Sequence, residues 1–295
     1  MKKLIVHPGS PKTATSTIQH VLRQNRAKLE QAGIGLILPG DIRGHSYLGA
    51  YLASYRSDEP FDISHASAEF YEKYISQFDT VIVSEETFCH DFMPSKKFGY
   101  GGIDRAETSA ELISQNPFDK TEIVLTIRPH VEFIISTYTH FVHRHREGRS
   151  FDHWYKDVVG LHRFSWETAV SAFKSQFSPE DVKVVSMSTA KENGIGHYVR
   201  DVIIALGLEG VLPDPTVGEV HNPSPSKRAV ELCTMLNQTI VNPKKSNLVN
   251  TFIVENFPTS EFGKFAPVVQ LQPEVRHMFH RDYALAVGKP EALSE

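Results

Sequence analysis

Lys12 stands in a run of turn-forming and hydroxylated residues, His7-Pro8-Gly9-Ser10-Pro11-Lys12-Thr13-Ala14-Thr15-Ser16, directly after the apolar Leu4-Ile5-Val6. One lysine among hydroxyls at the start of a helical pattern is suited to holding an anion. The ammonium supplies charge, the hydroxyls supply hydrogen bonds, and a helix start supplies unpaired N–H groups at the positive end of the helix dipole. The nucleotide loop G-x-x-x-x-G-K-[ST] is not met, because Gly9 is the sole glycine before Lys12-Thr13. That spacing argues against an ordinary ATP or GTP loop. A helix start carrying a surface lysine is the plain alternative reading.

Two further groups of residues carry chemistry. Arg128 ends the apolar run Ile123-Val124-Leu125-Thr126-Ile127, and Ser136 follows eight residues later. A guanidinium offers a fixed fork of donors matched to phosphate oxygens. Glu85 and Glu86 follow Val81-Ile82-Val83-Ser84, which puts two acids at a strand end, a position where a carboxylate can serve as a general base. Adjacent carboxylates repel, so one of the two is expected to have only a structural role. The stretch His143-Arg144-His145-Arg146-Glu147-Gly148-Arg149 places Arg146 and Arg149 just past a helical pattern. They either cap the helix or attract an acceptor that already carries negative charge.

The elements that must position these residues alternate between strand and helix patterns. Strands are expected at residues 3–7, 34–38, 80–84, 122–127 and 182–187. Helices are expected at 15–32, 68–77, 106–114, 131–146, 166–176, 197–206, 226–240 and 274–287. The fold class is α/β: a parallel sheet of about five strands flanked by helices, P-loop NTPase-like, with a helical C-terminal part. The Gly- and aromatic-rich stretch 88–105 reads as a loop near a site or a plain surface excursion.

Pro11-Lys12-Thr13-Ala14-Thr15-Ser16 resembles the 5′-phosphosulfate loop, P-K-[ST]-G-T-[TS], of sulfotransferases that use 3′-phosphoadenosine-5′-phosphosulfate (PAPS). Ala14 departs from the usual glycine, which implies either a negative φ there or a slightly reshaped loop. Arg128 with Ser136 is similar to the family's 3′-phosphate element, although Pro129 follows the arginine directly. Ser84-Glu85-Glu86 resembles the hydrophobic-hydrophobic-Ser-Ser-Glu form of bacterial members, and Gly148-Arg149-Ser150-Phe151 resembles the segment after their 3′-phosphate helix. His221-Asn222-Pro223-Ser224 is similar to their late Asn-x-Ser loop. The family's adenine clamp is not recognisable.

The resemblance implies a PAPS-dependent enzyme, with PAP as product and no metal. Gly9, Pro11, Lys12, Thr13, Ala14, Thr15, Ser16, Arg128, Ser136, Asn222 and Ser224 would bind the donor. Lys12 and Glu86 would be catalytic, with Glu85 as the other candidate base. Arg146 and Arg149 would meet a small-molecule or glycan acceptor. A phosphate-loop kinase and a catalytically silent PAP-binding protein stay open as rival readings.

Composition narrows the background. The formal net charge of -4 lacks the basic excess of a nucleic-acid binder. Two cysteines, Cys89 and Cys233, suit a reducing, cytoplasmic setting rather than a disulfide framework. The apolar run after Met1-Lys2-Lys3 is too short for a signal peptide or membrane anchor. No linker divides the 295 residues, so a single α/β domain is expected.

Overall fold

Leu4-Ile5-Val6 and Val81-Ile82-Val83 are apolar on both faces, and such strands are stable where helices cover both sides of a parallel sheet. The structure, a computed structural model that describes residues 1–42, 62–89, 103–158, 165–213, 224–267 and 273–289, places them so. Strands β1 (Lys3–Gly9), β2 (Ile34–Ile37), β3 (Thr80–Ser84), β4 (Lys120–Ile127) and β5 (Val182–Ser186) form one sheet, parallel throughout, in the order β2-β3-β1-β4-β5. The chain leaves β1 towards β3 and β2, then returns to build β4 and β5 on the other side. The switch point therefore lies between the carboxyl ends of β1 and β4, where open α/β sheets bind ligands. At the opposite ends of these strands, Glu122 is paired with Lys3 at 2.6 Å and Lys183 at 3.0 Å.

Among the described residues the helices are α1 (Thr15–Gln24), α2 (Arg26–Gln31), α3 (Pro39–Ile42), α4 (Ile63–Gln77), α5 (Ile103–Ser114), α6 (His130–Arg144), α7 (Phe151–Val158), α8 (Trp166–Lys174), α9 (Ser188–Asn193), α10 (Ile195–Ala205), α11 (Lys227–Asn237), α12 (Pro243–Asn256), α13 (Thr259–Phe262) and α14 (Pro273–Ala286). The single helix expected at 15–32 is two. Its break is Asn25, whose side-chain amide donates to the Val21 carbonyl at 2.8 Å while its backbone leaves helical geometry. Helices α3, α7, α9, α12 and α13 were not among the expected ones.

The chain forms two compact units. One comprises Met1–Arg128, Ser165–Glu219 and His280–Glu295, and the other Pro129–Phe164 and Val220–Phe279. The first holds the sheet, and α1 and α10 pack there into a core that includes Ile5, Ile18, Leu22, Ile82, Val124 and Val202. The second is helical, with Tyr138 in ring contact with Phe151 at 5.2 Å and Trp154 at 5.3 Å. Its buried Asn237 amide donates to the carbonyls of Val142 and Glu147, at 2.8 and 3.1 Å.

Candidate active site

The segment after β1 is built around residues that ordinary side chains could not replace. Gly9 has φ 85, and a Cβ there would lie 2.7 Å from both Cα and Cβ of Glu86. A glycine is what lets the loop pass this close to the end of β3. Ser10 N–H then donates to the Thr126 carbonyl at 2.9 Å, which joins the loop to β4. Lys12 and Ala14 are left-handed, with φ 64 and 59. Of the two alternatives for Ala14, the negative φ is therefore not the one adopted, and the alanine takes the backbone conformation that glycine would take more easily.

Helix α1 begins at Ala14, which offers its first turn no side-chain cap. The N–H groups of Thr13, Ala14, Thr15 and Ser16 donate to no group among the described residues. Four successive N–H groups at a helix start, two of them flanked by left-handed residues, form an anion-binding concavity. The Thr13 hydroxyl is not part of it. That side chain is fully buried, donates to the Ser10 carbonyl and accepts from Thr126 Oγ1 at 2.8 Å. Thr13 can thus offer an anion its N–H but not its hydroxyl.

The two acids separate by environment. Glu85 is fully buried, and its Oε1 accepts the Thr87 N–H at 3.1 Å, capping the 3-10 turn Glu86–Phe88. Glu86 is partly exposed, lies against Gly9, and receives a hydrogen bond from Gln19 Nε2 at 2.7 Å on Oε2. Behind them is a buried polar chain. His7 Nδ1 meets Ser84 Oγ at 2.9 Å and its Nε2 meets Thr126 Oγ1 at 3.2 Å. Burial lowers the His7 pKa to about 4, against the opposing pull of Glu86, so the ring is neutral at neutral pH.

Arg128 is half-buried at the end of β4, and its Nη1 donates to the Lys12 carbonyl at 3.1 Å. Its own carbonyl accepts Trp166 Nε1 at 2.7 Å. The arginine, expected at the 3′-phosphate, is thereby tied to the loop after β1. The remaining expected residues belong to the helical unit. Ser136 is buried on α6, and Ser224 is exposed. Asn222 lies outside the described residues, as does most of the stretch 88–105. Arg146 is left-handed with φ 60, in the position that ends α6, and its Nη2 donates to the Ile240 carbonyl at 2.6 Å. Arg149 forks onto Glu147 at 2.6 and 2.9 Å and reaches Asp157 at 2.9 Å. Both arginines are thereby tied to partners within their own unit.

Gln19, Thr126 and Tyr198 received no role from the sequence. Gln19 lies one helical turn from Thr15 on the buried stripe of α1, where a polar residue among Ile18 and Leu22 was the available signal. Tyr198 sits in the apolar stripe of α10 with Val199, Val202 and Ile203, and reads as core. Thr126 is one of a run of buried strand residues. Its hydroxyl meets His7 of β1 and Thr13 of the loop, residues distant from it in sequence.

No protein-family model and no curated protein matches the chain. Among solved structures, the chain is similar to a sulfotransferase from Alicyclobacillus acidocaldarius, with 14% identity over 90% of this chain and 97% of that one, and a TM-score of 0.44.

Proposed function

We propose that the protein is a sulfotransferase that moves a sulfuryl group from PAPS to an acceptor hydroxyl, a carbohydrate or other small alcohol, with Glu86 as general base. The observation that carries this reading is the row of N–H groups from Thr13 to Ser16, which find no acceptor among the described residues, with Glu86 held against the same loop at Gly9. Such a row fits the 5′-phosphosulfate, whose bridging oxygen gains charge as the sulfur–oxygen bond breaks. Lys12 and the N–H groups meet that charge, and Glu86 takes the proton from the acceptor hydroxyl as the new sulfur–oxygen bond forms. Arg128 is assigned the 3′-phosphate. Ser136, Asn222 and Ser224 remain donor residues by resemblance alone. Glu86 is preferred to Glu85 because the latter is buried and already caps a turn. The reading gives a metal no role, since Lys12 and the N–H groups are assigned the transferred charge.

A thermal-shift panel of PAP, PAPS, AMP and ATP, the last with and without magnesium, tests this. PAP is expected to raise the melting temperature without added metal. Arg128→Ala should weaken PAP by about ten- to a hundredfold, the loss of charge-assisted hydrogen bonds. Greater stabilisation by ATP with magnesium than by PAP would replace the reading with a kinase.

A further inference from the structure

Two carbonyls of the loop are held from behind by side chains that come from distant elements. Arg128 Nη1 donates to the Lys12 carbonyl at 3.1 Å, and the Tyr198 hydroxyl donates to the Thr13 carbonyl at 2.9 Å. No cis peptide bond occurs among the described residues. In a trans peptide the C=O and the following N–H point in opposite directions. Anchoring the Lys12 carbonyl therefore aims the Thr13 N–H away from Arg128, and anchoring the Thr13 carbonyl aims the Ala14 N–H away from Tyr198. These are two of the four N–H groups that find no acceptor among the described residues.

Tyr198 is fully buried on α10, in the same core as Ile18 and Leu22 of α1. A phenylalanine would fill that space equally well, so packing does not account for the hydroxyl; its hydrogen bonds do, the donated one to the loop and another with Thr126. The bond also opposes a specific rearrangement. Flipping the Thr13–Ala14 peptide would return Ala14 from φ 59 to a negative φ, the direction in which an alanine side chain drives the backbone, and would turn a carbonyl towards the anion.

We propose that Tyr198 is a positioning residue for the anion site: by holding the Thr13 carbonyl it keeps the Ala14 N–H facing the 5′-phosphate group of the donor. The inference rests on the loop being the anion site of the proposed function. It also explains how an alanine can stand where the resembling family has glycine. The tyrosine holds in place a peptide orientation that alanine disfavours.

Isothermal titration of the full chain, as wild type, Tyr198→Phe and Tyr198→Phe/Ala14→Gly, tests the proposal with three probes: PAP, inorganic pyrophosphate and adenosine 3′-monophosphate. Tyr198→Phe is expected to weaken PAP and pyrophosphate by about tenfold, the worth of one hydrogen bond, and to leave adenosine 3′-monophosphate unchanged. Adding Ala14→Gly should recover part of the loss, because glycine does not favour the flip. Unchanged PAP and pyrophosphate affinities overturn the proposal, as does equal weakening of adenosine 3′-monophosphate, which would mark general loosening. A wild type that binds pyrophosphate but not PAP overturns the donor assignment alone, because the pyrophosphate comparison then decides the role of Tyr198. Binding of neither overturns both. A measurement on wild type alone removes dependence on the variants folding: pyrophosphate should shift the Ala14 amide resonance of 15N-labelled protein, and an unmoved resonance contradicts the proposal.

Discussion

Glu85 and Glu86 are neighbours in sequence and differ because β3 ends just before them. The first side chain turns back to cap the 3-10 turn, and the second meets Gly9 and Gln19. Replacing Glu86 by glutamine keeps the shape and removes the base. Turnover against a panel of sugar, phenol and alcohol acceptors should then fall by about a hundredfold or more, while PAP affinity by calorimetry stays near wild type. Glu85→Gln should instead lower stability, through the weakened cap. Full activity in both variants would remove the carboxylates from the mechanism. At this scale the sequence placed Lys12, Glu86 and Arg128 after strand ends, and in the structure Glu86 and Arg128 both meet the loop that carries Lys12. It was silent on Gln19 and Tyr198, whose significance depends on which backbone or carboxylate lies opposite. Nor does it show that the Thr13 hydroxyl is engaged by Ser10 and Thr126.

The strands were legible almost to the residue, because strands covered on both faces must be apolar without alternation and few other segments are. Helices were less so. Helix α12 starts with a clear signal, Asn242 capping Lys245 N–H at 3.1 Å before Pro243 at the first turn, yet exposed Leu248 and Phe252 blur its buried stripe. A buried polar cluster joins α12 to α6 and α11. Asn250 donates to the Val142 carbonyl at 3.1 Å and to Asn237 Oδ1 at 3.0 Å, Ser246 donates to the same oxygen at 2.8 Å, and the Asn237 amide closes the set on Val142 and Glu147. No helical periodicity announces such a cluster. Asn237→Leu would strip these partners from buried donors and acceptors together, and should cost roughly 3 kcal/mol in urea unfolding. A loss below about 1 kcal/mol would mean that water or rearranged side chains replace the amide.

Over the whole molecule, the charged and titratable groups least expected in a core are those that set its response to conditions. Cys89 and Cys233 are both buried, and burial pushes each thiol up to about 12, so neither is a thiolate at neutral pH. Among the described residues no helix is long and apolar enough to cross a membrane. His7 links stability to pH through its burial. It is fully buried, bonded to Ser84 and Thr126 at the centre of the sheet, and its pKa falls from 6.5 to about 4 through burial, opposed by Glu86. The folded state therefore resists a proton that the unfolded chain accepts. Stability is unaffected by this group above the unfolded value and is lost as pH falls from 6.5 towards about 4. At 1.36 kcal/mol per pKa unit, about 2 kcal/mol of that loss should have accrued by about pH 5. His7→Gln retains a donor and an acceptor without a titrating proton. It should start less stable at about pH 7.5, because its geometry cannot match both partners, yet lose about 2 kcal/mol less than wild type on acidification to about pH 5. Urea unfolding of both proteins at the two pH values gives the comparison directly. Parallel losses in wild type and variant would show that other groups, rather than the buried histidine, carry the acid response.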